Sequence, residues 1–181
     1  MKLWKKLTAA VLMSAAILGA GVTAKPLFPA LTCAEITAQA VDETVTVGDL
    51  TFTKNGTYAV VTSCDKAAAT VIIPAKVDGL PVTSIGNSAF SNCTGLTSIT
   101  IPDGVTSIGK LAFSSCTKLT SITVPDSVTC ISELAFSSCT GLGSVKLGKS
   151  VKSIDKGTFK NCTRLRSIII PESVTSIGIE A

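Results

Sequence analysis

The chain has 181 residues, 46% of them hydrophobic, 15% charged and 4% aromatic, with a formal charge of +4. That length suits one domain, and so apolar a composition excludes intrinsic disorder. The chain contains no histidine, which excludes Ser-His-Asp and Cys-His catalysis, His-ligated zinc and a histidine pH switch.

The first forty residues read as a leader. Lys2, Lys5 and Lys6 make a basic start, and Leu7–Val22 is an apolar run rich in alanine and leucine. The run is short and rich in small residues for a membrane span, which favours a removable leader over the alternative of an N-terminal membrane anchor. Val22-Thr23-Ala24 and Ala38-Gln39-Ala40 both fit small-residue cleavage sites, so cleavage is expected after Ala24 or Ala40. Residues 1–40 hold four basic and one acidic side chain, residues 41–139 five and eight, and residues 140–181 seven and three. The part after residue 40 therefore nets −3 + 4 = +1, which is no basis for binding nucleic acid. It also has no membrane span of its own.

Residues 41–81 come next. Asn55-Gly56, with Phe52 before it and Tyr58 and Val60 after it, predicts a β-hairpin over Leu50–Thr62. This hairpin is expected to cap the open end of the repeats that begin at Val82. Cys64–Pro74 reads as a degenerate coil, with Val71 and Ile73 in a strand that Pro74 ends.

From Val82 onward the sequence repeats every 23 residues. Four segments align without gaps, Val82–Gly104, Val105–Ser127, Val128–Ser150 and Val151–Ser173, and a fifth begins at Val174. Ile85, Ile108, Ile131, Ile154 and Ile177 share one column. Phe90, Phe113, Phe136 and Phe159 share another, as do Cys93, Cys116, Cys139 and Cys162, and Leu96, Leu119, Leu142 and Leu165. Within a repeat, Ser98-Ile99-Thr100-Ile101 alternates and predicts a short half-buried strand. Gly148 takes the place of the strand-ending proline in the third full repeat. Lys110–Ser115, with Ala112 and Phe113, suggests a helical turn. One unit cannot close a core, but stacked units bury Ile, Phe, Cys and Leu as columns. The expected fold is an α/β-type repeat solenoid, with short parallel strands on one face and an N-terminal hairpin cap. Ile177 and Ile179 would lie near an open edge, and the sequence reads as a fragment or one piece of a longer chain.

The run Cys-x-x-Leu-x-x-Ile-x-Ile-Pro-x-x-Val-x-x-Ile-x-x-x-Ala-Phe, seen at Cys93–Phe113 and recurring from Cys116 and Cys139, resembles the bacterial BspA-type leucine-rich repeat surface-protein family. The resemblance is strong over residues 82–181 and weak over 64–81. It implies an exported, non-enzymatic protein used for adhesion or recognition, secreted or held at the cell surface.

Seven cysteines invite a disulfide or metal reading. The dominant spacing is the repeat itself rather than a metal-binding cluster. Cys93–Cys116 and Cys139–Cys162 are close enough to bridge, and a column of buried thiols is the alternative that cysteine's preference for burial favours. No cofactor or metal site is expected. The candidate binding face is the row of exposed strand positions: Thr97, Ser98 and Thr100; Thr120, Ser121 and Thr123; Ser144 and Lys146; Arg166 and Ser167. It is rich in hydroxyls at its N-terminal end and basic at its C-terminal end, with Lys118 and Arg164 just before the strands. Its partner would be an extracellular protein or glycan. The enzyme alternative rests on Asp103 and Asp126, which stacking would bring about 5 Å apart, near the separation of a retaining glycosidase pair. Both follow a proline in a solvated turn, where aspartate is ordinary turn chemistry. A structural spacer within a larger surface protein is the third reading.

Overall fold

The computed structural model describes residues 42–181. The expected leader, with both cleavage sites, lies outside them. The described chain contains thirteen short strands and no helix.

Near the N-terminus, Glu43–Val47 pairs antiparallel with Leu50–Lys54, which pairs antiparallel with Ala59–Cys64. Asn55 closes the turn between the last two. Its side-chain oxygen accepts hydrogen bonds from the backbone N–H groups of Thr57 and Tyr58, both at 3.0 Å, and Gly56 adopts φ +85°. Ala59–Cys64 then pairs in parallel with Leu80–Ile85. The buried Lys54 ammonium joins Glu43, at 3.1 Å, to Asp78, at 2.6 Å. The strand Glu43–Val47 adds to the hairpin expected from the sequence.

From Leu80–Ile85 a parallel ladder runs through Ser107–Ile108, Cys130–Ile131, Ser153–Ile154 and Ser176–Ile177, each displaced by one repeat. This is the continuous sheet of the solenoid. The strands expected from alternation form the second, opposite set. Thr70–Ile72 pairs with Ser98–Thr100, and Ser121–Thr123 pairs with Ser144–Lys146, all in parallel. No ladder joins the two pairs. In the last full repeat the strand shrinks to a single bridge from Lys146 to Ile169.

The α/β class is corrected: the arc expected to be helical is a spiral of turns. Ser88, Leu111, Leu134, Gly157 and Glu180 recur at the repeat spacing with φ near +60°, and so do Asn92, Ser115, Ser138 and Asn161. A right-handed helix cannot pass through such residues. Alternate N–H groups also leave the arc for the next coil: Leu111 N donates to Glu133 O, Phe113 N to Ala135 O and Ser115 N to Ser137 O. Between them, Ala112 N and Ser114 N donate three residues back, to Gly109 O and Leu111 O. The inter-coil bonds take the donors that a helix would use.

The core is the expected set of columns. Phe90, Phe113, Phe136 and Phe159 stack with centroids 4.9, 5.2 and 5.5 Å apart and planes within 11° of parallel. Such near-parallel stacks add to the burial of the rings. The Ile, Leu and Cys columns beside them are buried through the middle coils. Burial weakens toward the C-terminal coils, where the column residues Ile170 and Ile177 are 39% and 60% exposed.

Gly148 is more than a flexible substitute for proline. A Cβ there would overlap the Pro125 carbonyl of the preceding coil. Gly148→Pro, which restores the residue found at this point in the other repeats, is therefore expected to lower stability by about 1–3 kcal/mol, as overpacking does. Urea unfolding measures this, and a gain in stability would show that the coils can part to admit the ring.

Candidate functional site

Alternation places the expected face on the surface. Along Ser98–Thr100 and Ser121–Thr123 the central isoleucine is buried and its two neighbours are exposed. All ten expected face residues, Thr97, Ser98, Thr100, Thr120, Ser121, Thr123, Ser144, Lys146, Arg166 and Ser167, are exposed. They do not form one uninterrupted sheet. Between Ser98–Thr100 and Ser121–Thr123, where the ladder is missing, lies a hollow of about 410 Å³ edged by Ser98, Thr100, Ser121, Thr123 and Asp103. Arg166 and Ser167 lie beyond the last regular strand of this set.

Asp103 and Asp126 share a second hollow of about 330 Å³ with Thr123 and Lys146. Asp126 already has structural work: its Oδ1 accepts a hydrogen bond from the Lys149 backbone N–H at 2.9 Å. Asn87 Oδ1 does the same for Lys110 N–H at 2.9 Å. These side chains staple one coil to the next.

The cysteines are core chemistry. All six described cysteines are free, and five are buried. Cys116, Cys139 and Cys162 donate their thiols to the carbonyls of Phe90, Phe113 and Phe136 at 3.1, 3.0 and 3.1 Å. Contact with the Cys116 thiol, together with burial, pushes Cys139 up to about 12, and burial above all does the same to Cys64. Cys162 is raised by Cys139 and by burial. Thiols held protonated are poor nucleophiles and poor metal ligands.

One part of the surface is only half legible in the sequence. Just before the strands, a groove of about 510 Å³ crosses the coils, lined by Thr97, Thr117, Thr120, Thr140 and Thr163 with Lys118, Gly141 and Arg164. Lys118 and Arg164 stand out in the sequence as basic residues ahead of the strands. Their convergence on one groove does not. The available signal is a threonine directly after the cysteine in every full repeat, at Thr94, Thr117, Thr140 and Thr163, followed by a variable residue. Among the described residues the ion pairs are those of Lys54, Lys110 and Lys160, so Lys118, Lys146, Arg164 and Arg166 have no acidic partner there.

Comparison with known proteins picks out the same repeat. The BspA type leucine rich repeat region matches residues 68–181 in six copies, beginning inside the degenerate coil. A leucine-rich repeat protein of T. pallidum superposes with a TM-score of 0.67 at 30% identity, over 76% of this chain and 61% of that one. The chain thus spans less than two thirds of that protein's length. A leucine-rich repeat protein from Bacteroides capillosus is 32% identical over 74% of this chain and 86% of its own, with a TM-score of 0.48. The pneumococcal vaccine antigen PcpA shares the fold, with a TM-score of 0.54 at 19% identity, over 76% of this chain and 46% of that one. No curated protein matches the chain.

Proposed function

The chain belongs to the BspA-type leucine-rich repeat family, and from that premise we propose that it is a non-catalytic recognition module that works outside the cell. The basic, apolar leader of residues 1–40 supports export, to the medium or the cell surface. Residues 41–81 serve as cap and first coil, and residues 82–181 as the binding solenoid. The partner is an extracellular protein or glycan, held on the face that runs from Thr97 to Ser167, with no cofactor. One observation carries this reading: an extended polar surface ends in cations, Lys146 and Arg166, that form no ion pair among the described residues. Unpaired charge on an extended face steers a partner and sets its register.

The test is binding of the full chain to immobilised extracellular-matrix proteins and to plant and bacterial polysaccharides. A saturable interaction is expected, weakened by added salt and weakened about tenfold by Lys146→Glu or Arg166→Glu, the loss typical of one charge-assisted contact. A blank panel from protein shown by circular dichroism to be folded would overturn the reading in favour of a spacer. Turnover of a polysaccharide that Asp126→Asn abolishes would overturn it in favour of an enzyme.

A further inference from the structure

We propose that the threonine-lined groove is an anion-binding site and that its ligand is an acidic polysaccharide, a sugar chain bearing carboxylate or sulfate groups. This rests on the recognition reading above and gives it a place and a ligand class.

The groove is built around two cations and a gap. Lys118 and Arg164 occupy the same column two coils apart, roughly 10 Å at the spacing of adjacent strands. Gly141 stands between them in that column. Its lack of a side chain is enforced by packing, because a Cβ there would overlap the Thr117 carbonyl. Two exposed cations therefore bracket a floor that no side chain fills.

Most hydroxyls around that floor are unspent; Thr97 at its edge is the exception, donating to the Ala69 carbonyl at 2.8 Å. On the opposite sheet, Thr106, Thr129 and Thr175 donate their hydroxyls to backbone carbonyls of the preceding coil, at 3.1, 3.3 and 3.1 Å. Among the described residues the hydroxyls of Thr117, Thr140 and Thr163 have no such acceptor, although they too recur once per coil. They are left to face a ligand, at a spacing that an extended polymer can follow from coil to coil.

The lining decides the ligand class. It contains no carboxylate, so an anion meets no repulsion. It contains no aromatic ring on which a nucleobase could stack. It offers no apolar pocket of the kind that anchors a peptide. Hydroxyls and cations remain, with a guanidinium able to grip a carboxylate or sulfate with two hydrogen bonds. A hydroxyl-rich polymer that carries regular negative charge satisfies all of them.

The experiment measures binding of the full chain to dextran sulfate, polygalacturonate, neutral dextran and poly-glutamate at low and moderate salt. Saturable binding to dextran sulfate, polygalacturonate or both is expected, and the two arms tell sulfate from carboxylate recognition. Neutral dextran should not bind. Lys118→Glu and Arg164→Glu should each weaken binding about tenfold or more, and the charge-free Lys118→Gln/Arg164→Gln pair should do so with a flatter salt dependence. Lys152→Glu, an exposed position on the opposite sheet, should weaken it less. Equal loss from Lys152→Glu would mean diffuse charge attraction and overturn the site. Binding of poly-glutamate as tight as that of the polysaccharides would overturn the ligand class. A chain that ignores both acidic polysaccharides, yet binds another partner in a manner sensitive to Arg166→Glu, would remove this site and leave the recognition reading standing.

Discussion

Phe113→Ala lowers the free energy of unfolding by about 3–5 kcal/mol, the range for deleting a fully buried phenylalanine. Phe113 has no solvent exposure and stacks on a ring at each face, Phe90 at 4.9 Å and Phe136 at 5.2 Å. Two features keep the site from collapsing into the gap. The backbone on either side is tied to the next coil through Phe113 N–H and Ser115 N–H, and the Phe113 carbonyl holds the Cys139 thiol at 3.0 Å. Phe159→Ala costs less, because that ring is only half-buried and has one stacking partner. Urea unfolding of both variants checks the order. A Phe113→Ala loss under about 1 kcal/mol, no more than the loss of a single buried methylene or so, would show that the stack does not hold the coils together.

Stability falls steeply in alkali. The Cys139 thiol, ordinarily titrating at 9.0, is raised to about 12 in the folded chain. Between those values the folded thiol keeps its proton and the unfolded one releases it. Unfolding then releases a proton, so raising the pH favours the unfolded state. The stabilising effect of the neutral thiol is complete below pH 9 and is lost as pH climbs toward 12, at about 1.4 kcal/mol per unit for one such group. Cys64, also raised to about 12, adds to the slope in the same window. Urea midpoints at pH 8, 9.5 and 11 measure the fall, and Cys139→Ala should make it shallower while leaving it present. A midpoint unchanged between pH 8 and 11 would mean that the thiols ionise without loss of the fold.

What the sequence makes legible is whatever every coil repeats. Ile85, Phe90, Cys93 and Leu96 recur at fixed spacing because each position meets its own copy one coil away. Burial follows directly from that. Backbone conformation does not, because Leu111 and Leu134 carry no mark of the left-handed region, which usually draws glycine or asparagine. Ala112 and Phe113 beside them look helical, and the turn spiral therefore reads as a helix. The main sheet is hidden for a simpler reason: Ser107–Ile108 and its equivalents are two residues long, too short for alternation to appear. Nothing in the identical Ser-Ile-Thr of Ser98–Thr100 and Ser121–Thr123 announces that no ladder joins them. The groove escapes for the opposite reason. Lys118, Gly141 and Arg164 occupy a column that changes from coil to coil, and a search for constancy passes over it. In this fold the scaffold is written in what repeats, and the candidate chemistry in what does not.

The parallel ladder that links Ile85 to Ile177 has a mechanical consequence. Its hydrogen bonds point along the solenoid axis, and each coil is bonded only to its neighbours. Tension on the two chain ends is therefore borne by the coils in series. The weakest junction lets go first, and a junction that lacks one of its two ladders, as between Ser98–Thr100 and Ser121–Thr123, holds by fewer bonds than its neighbours. Each coil that peels away gives up one strand spacing of about 4.8 Å. It frees one repeat of 23 residues, up to roughly 80 Å of extended chain. The protein thus holds slack many times its folded length per coil, released one repeat at a time.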